Sequence, residues 1–126
     1  MSVLTQPPTM GDVLKYELNP NFTRETVTLL AGTSYPVGAV LGRITASGKM
    51  KLSTATGTDG AQNAAAVLLY DVDATAADTT GIVVVRGPAI VSKAALVFDA
   101  SVDDAAKTAA KHVQLTALGI IPRDAA

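Results

Sequence analysis

The stretch that most restricts the fold is Ala64–Ser92, AAAVLLYDVDATAADTTGIVVVRGPAIVS. It holds two apolar runs, Ala64–Val72 and Ile82–Val91, separated by nine residues, Asp73–Gly81, rich in Asp, Ala and Thr. Short, partly β-branched runs bounded by turn residues predict buried strands and not helices. The connection is too short for a crossover helix, which needs a dozen or more residues, so the two strands are expected to run antiparallel. Around this ribbon the sequence predicts an arm and strands before it, and a strand and one helix after it.

Met1 to about Glu25 has a different character. Thr5-Gln6-Pro7-Pro8-Thr9 and Leu18-Asn19-Pro20-Asn21 favour extended or turn backbone, because proline restricts itself and its predecessor. Val3, Leu4, Met10, Val13, Leu14, Tyr16, Leu18 and Phe22 recur without a sustained period. Residues 1–25 read as an extended N-terminal arm, held by its own domain, a sister subunit or another protein. A β-rich domain is expected over 26–126. Thr26–Leu30 is β-prone and reads as an edge strand. Tyr35–Thr45 (YPVGAVLGRIT) is a strand in which Gly38 and Gly42 suggest a bulge or a close backbone approach. Ala46-Ser47-Gly48 turns into Lys49–Ser53, which alternates with Met50 and Leu52 inward and both lysines outward, a hairpin pattern. Thr54–Asn63 is a polar loop with Asp59-Gly60 as its tight turn.

Beyond the ribbon, Gly87-Pro88 interrupts the second strand, since proline has no N–H for a ladder. Ala94–Phe98 reads as one more short strand. A helix is expected over Asp103–Leu118, with Ser101 or Asp103 as N-cap and Gly119 just past its end. Ala106, Ala109, Ala110, Val113 and Leu118 fall near one face, which is expected to lie against the sheet. Ile120–Ile121 adds a last short strand before Pro122. The fold class is therefore mainly β with one C-terminal helix (α+β): a small antiparallel or mixed β-barrel-like domain preceded by an extended arm.

Composition narrows the function. The chain has 22 alanines, five aromatics and no Trp, so its core is made of small side chains that each bury little area. Part of the stability is expected from subunit contacts. The formal net charge is −1 with both signs dispersed, and no stretch has the Lys and Arg density of a nucleic-acid binder. The absence of Cys excludes disulfides and thiolate metal sites. No apolar run has the length needed to cross a bilayer, and no basic region followed by an apolar core opens the chain. The expectation is a soluble protein without a membrane partner or export signal.

Chemistry finds little to work with. Asp71-Val72-Asp73-Ala74-Thr75 after an apolar strand matches the DxDxT of haloacid-dehalogenase phosphatases, but that chemistry needs a parallel sheet with helices and further downstream groups. Two carboxylates in a solvated hairpin loop are the simpler reading. With Asp78 the loop also suggests a calcium site, yet it lacks the sixth-position Gly and twelfth-position Glu of an EF-hand. VGAVLGRI resembles the hairpins of lipoyl or biotinyl carriers, but the ribbon tip has no Lys to modify. His112, the single histidine, has no second ligand at i±3 or i±4 and reads as a solvated helix position. Arg86 is either a buried pairing arginine or an interface anchor. No catalytic, cofactor-binding or metal residues are assigned, and no small-molecule substrate is expected.

Five segments taken together carry a resemblance: KYELNPNFTRETVTLLAG (Lys15–Gly32), YPVGAVLG (Tyr35–Gly42), TDGAQNAAAVLLYDVDA (Thr58–Ala74), VVVRGPAIV (Val83–Val91) and DAAKTAAKHVQLTALGIIPR (Asp104–Arg123). In this order they resemble the head decoration protein family of tailed bacteriophages, of the phage lambda type; the first fourteen residues have no counterpart in it. The resemblance implies a non-enzymatic homotrimer on the outer surface of the virion, made in the host cytoplasm. It would cap three-fold and pseudo-three-fold positions of an expanded capsid. Its N-terminal arm would add a strand to the major capsid protein and reinforce the shell against packaged DNA. On this reading Val13, Leu14, Tyr16, Leu18, Phe22, Val27 and Leu29 are the capsid-binding residues. The alternative is another β-rich virion or cell-surface interaction module, such as a fibre, tail or adhesion domain.

Overall fold

The computed structural model describes residues 10–124. A single helical turn, α1 (Met10–Val13), leads into β1 (Leu14–Glu17) and a second turn, α2 (Pro20–Thr23). Seven strands follow: β2 (Arg24–Leu29), β3 (Ser34–Tyr35), β4 (Val40–Arg43), β5 (Met50–Leu52), β6 (Ala64–Leu68), β7 (Val72–Asp73) and β8 (Thr79–Val84). Then come β9 (Ala89–Ser92), a 3-10 turn at Lys93–Ala95, the helix α3 (Ala105–Ala117) and β10 (Ile120–Arg123). The chain is mainly β with one C-terminal helix, as its sequence predicts.

Five strands in the order β2-β5-β4-β6-β8 form a small closed barrel. The longest ladder joins β2 to β8, antiparallel from Arg24↔Val84 to Leu29↔Thr79. Closure rests on one parallel contact, Leu29↔Met50, reinforced by Leu30 N–H donating to Met50 O at 2.8 Å. Thr26–Leu30 is thus not an edge: its strand has a neighbour on each side.

The opening ribbon is apolar throughout because β6 is buried on both faces. Ala66 and Leu68 point into the barrel with Leu29, Tyr35, Leu41 and Met50. Ala64, Val67 and the adjoining Leu69 face a second cluster with Val13, Val91, Leu115 and Ile120, between the barrel, α3 and a three-stranded sheet. A strand with no solvated face has no polar positions to alternate with. The β6–β8 pairing is antiparallel, as the short connection requires.

The second apolar run divides where one interrupted strand was expected. Ile82–Val84 stays in the barrel, whereas Ala89–Ser92 crosses to the other sheet, in the order β1-β9-β10. β1 lies antiparallel to β9, and β10 lies parallel to it. The switch occurs at Gly87, where a Cβ would sit 1.8 Å from Gly119 O. Gly119 follows the helix C-cap with φ +84, in the left-handed region. Gly87 N–H donates to Leu118 O at 2.9 Å and Ala89 N–H to Gly119 O at 3.1 Å, so the end of α3 is pinned to this corner. The anticipated irregularity at Gly42 is also present. The β4–β6 register shifts beside it, and a Cβ there would lie 2.1 Å from Ala61 O.

The anticipated strand at Ala94–Phe98 is instead the 3-10 turn followed by an isolated parallel bridge, Ala39↔Val97. The helix begins two residues later than expected, because Asp104 is the cap and accepts from Lys107 N–H at 2.8 Å. Its orientation reverses the expected one. Ala106, Ala109, Ala110 and Leu118 are exposed, and Val113 is 68 % exposed. The buried residues are Lys111 and Leu115.

Lys111 explains the reversal. It is 2 % exposed, and its ammonium donates to Ser53 Oγ (2.9 Å), Thr54 O (2.6 Å) and Gln62 O (2.6 Å). Ser53 Oγ in turn donates to Ala61 O at 2.7 Å. Three donors meet three oxygens, which meets the condition for burying an ammonium. Burial pulls the group below the ordinary lysine range, and the Asp99 carboxylate opposes that shift.

Two stability measurements check these contacts by urea unfolding. Lys111→Met keeps the stem but leaves Thr54 O and Gln62 O without their donor. It is expected to cost about 1–3 kcal/mol and to speed amide exchange across residues 54–62. Gly87→Ala meets backbone and is expected to cost at least about 2 kcal/mol. Gly48→Ala, in open space at φ +75, serves as control and should cost about 1 kcal/mol.

Candidate interaction surface

The carboxylates of the Asp71–Asp78 loop brace the loop and tie it to the rest of the domain. Asp71 Oδ1 accepts from Val37 N–H at 2.7 Å. Asp73 accepts from Thr75 Oγ1 at 2.7 Å and from its N–H at 3.1 Å, and the hydroxyl contact holds its carboxyl below the usual range. Asp78 pairs with Lys49 and accepts from Ala31 N–H at 2.8 Å, and the Lys49 contact lowers it likewise. The three acids thus serve four partner residues and share none of them. No group of three or more metal-ligating side chains gathers among the described residues.

The stretch read as an arm divides in two. Met1–Thr9 lies outside the described residues, while Met10–Glu25 is folded onto its own domain. Val13 fills the second core cluster, and Val27 and Leu29 line the barrel. These three of the seven residues assigned to capsid binding are interior. The burial of Val13 was not legible because α1 is one turn long, too short to show a period; that of Val27 and Leu29 follows from β2 having a barrel neighbour on each side. Leu14 is half-buried and packs against the second cluster.

The other three stand exposed on the surface. Tyr16 is 49 %, Leu18 60 % and Phe22 54 % exposed. Asn19 Oδ1 accepts from Asn21 N–H at 2.9 Å and starts α2, whose Pro20 suits a first helical turn. Glu17 ties β1 to β2 through Arg24, and Thr23 Oγ1 donates to the same carboxylate at 2.6 Å. Burial raises the Glu17 carboxyl and the Arg24 and Thr23 contacts lower it, with the lowering prevailing. Arg86 is neither buried nor unpaired. Its guanidinium lies 5.4 Å from the Phe22 ring centroid, donates to Phe22 O and pairs with Glu25. Leu18 N–H donates to Pro88 O at 3.0 Å and fixes the corner to β9.

Among the described residues β1, on which Tyr16 sits, is at the rim of its sheet and pairs with β9 alone. At the opposite rim, β10 carries Pro122, which removes one ladder donor. Among the described residues β1 is therefore an edge strand that carries the exposed Tyr16, and the exposed Leu18 and Phe22 follow it in the chain. Residues 3–120 match the family model of bacteriophage lambda head decoration protein D. The chain belongs to that family. No curated protein matches it.

Membership in the head decoration family makes this a structural protein of the phage capsid. The match starts at residue 3, so it takes in most of the first fourteen residues, which had no counterpart by inspection. The decoration protein's apolar corner was only half legible. The sequence shows Tyr16, Leu18 and Phe22 as apolar, but not that they face outward while Val13 turns in.

Unfolding separates the two groups. Tyr16→Ser, Leu18→Ser and Phe22→Ser are each expected to change stability by no more than about 1 kcal/mol, as surface substitutions do. Leu29→Ala, inside the barrel, should cost about 2–5 kcal/mol.

Proposed function

We propose that this decoration protein binds as a homotrimer to the outside of an expanded capsid, at three-fold and pseudo-three-fold positions. There it reinforces the shell against the pressure of packaged DNA. Its N-terminal segment adds a strand to the major capsid protein, and Tyr16, Leu18 and Phe22 extend that contact onto the folded domain. The observation that carries this reading is the location of the corner: three exposed apolar side chains beside the rim strand β1, where the leading segment joins the domain. Strand addition gains main-chain hydrogen bonds with little demand on sequence, while flanking apolar side chains supply pockets with specificity.

The trimer supplies strength that one copy lacks. Three segments and three corners engage neighbouring sites at once, so each contact after the first forms at high effective concentration. The alanine-rich core also favours association, because small side chains leave each subunit with a modest hydrophobic gain of its own.

Electron microscopy of expanded capsids mixed with three forms of the protein tests this. The full chain is expected to give density at three-fold positions and, free in solution, a mass three times that of the chain. A variant lacking Met1–Thr9 retains every described element and should lose attachment. Tyr16→Ser combined with Leu18→Ser and Phe22→Ser should weaken attachment at least tenfold. Full occupancy by the shortened chain would overturn the role of the segment, and a monomeric mass would overturn the trimer.

A further inference from the structure

Among the described residues, one buried side-chain nitrogen or oxygen has no hydrogen-bond partner: His112 Nε2. The ring is half-buried in the seam between α3 and the segment that joins β9 to it. It packs against Phe98, with ring centroids 6.0 Å apart and planes inclined at 60°. A buried lone pair without a donor is tolerable; a buried N–H without an acceptor is costlier, and a charged one more so. The seam therefore suits the neutral imidazole carrying its proton on Nδ1, and it offers nothing to a proton on Nε2.

We propose that His112 is an acid-sensitive joint, whose protonation parts α3 from the Lys93–Asp99 segment while the barrel stays closed. The charged neighbours on each element agree with this direction. Lys93, on the 3-10 turn, repels a positive imidazole, whereas Asp124, after β10, attracts it. Burial acts most strongly, and with Lys93 it holds the imidazole below its ordinary range. Asp99 follows Phe98 in the same segment, but its carboxylate accepts from Ser101 N–H and Oγ. Lys111, next on the helix, is turned inward and held by three oxygens.

The sign follows from linkage. The unfolded chain binds this proton more readily than the folded one, so stability is full above the unfolded value near 6.5 and declines as the pH falls below it. The seam is the place to yield because α3 keeps other anchors. Lys111 and Leu115 hold it to the loop and the core, and Gly119 pins its end.

The chain contains one histidine, so the readout is unambiguous. Glu17, Asp59, Asp73, Asp78 and Asp103 are held below the usual carboxylate range by their hydrogen bonds and ion pairs, and stay charged at pH 5. The test is an NMR titration of the His112 ring in the full chain, with amide hydrogen exchange at pH 7.5 and pH 5 corrected for intrinsic rates. The expected result is a midpoint below 6.5 and a loss of protection at pH 5 in α3 that β6 does not share. His112→Phe should remove the pH dependence of α3 protection. A midpoint at or above 6.5, or α3 protection that is unchanged or falls together with that of β6, would overturn the proposal. If His112→Phe does not fold, the two measurements on the natural chain decide alone.

Discussion

The ammonium of Lys111 sets how the two halves of this molecule meet. An amphipathic helix ordinarily presents its apolar stripe to a sheet, and here the stripe consists largely of alanine. Each alanine contributes one methyl, about 0.8 kcal/mol when buried. Turning that stripe inward would leave Ser53 Oγ, Thr54 O and Gln62 O facing apolar groups, at about 1–3 kcal/mol for each unpaired oxygen. With Leu115 on the same side as Lys111, the helix gains more by burying its charge than its alanines. The polar loop Thr54–Asn63 is thereby fixed to α3 across about fifty residues of sequence, and the helix carries its alanine face outward.

Much of the barrel could be read directly from the residues. Two apolar runs with a short, polar connection can hardly be anything but an antiparallel pair. Met50, Gly42 and Asp59-Gly60 fall where alternation, bulge and turn chemistry place them. What escaped the sequence is non-local. The split of Ile82–Val91 between two sheets depends on Gly87 meeting Gly119, and the parallel β9–β10 pairing depends on where α3 ends. Neither contact leaves a periodic trace. The facing of α3 escaped for a different reason: hydropathy ranks lysine as outward, and a ligated lysine violates that rule only when three oxygens from another part of the chain converge on it.

The same division runs through the surface. Aspartates that suggest catalysis when read in a row turn out to be the ties of a short loop, each occupied by a neighbouring N–H, hydroxyl or lysine. Among the exposed apolar residues, Tyr16, Leu18 and Phe22 are separated from the buried Val13 by a few positions in a stretch with no period longer than a turn. Composition identifies such a stretch as apolar; which side chains face out depends on how β1 and α2 pack on the domain. For a family whose role is attachment, orientation at that corner matters more than any single residue type.

The closure of the barrel has a mechanical corollary. On one side of β2 the backbone is laced to β8 along six residues, and on the other Leu29 and Leu30 meet β5 at Met50. A ring sewn so unevenly behaves like a clasp. Parting β2 from β5 breaks fewer backbone pairings than parting it from β8, so the narrow join is the weaker side of the ring.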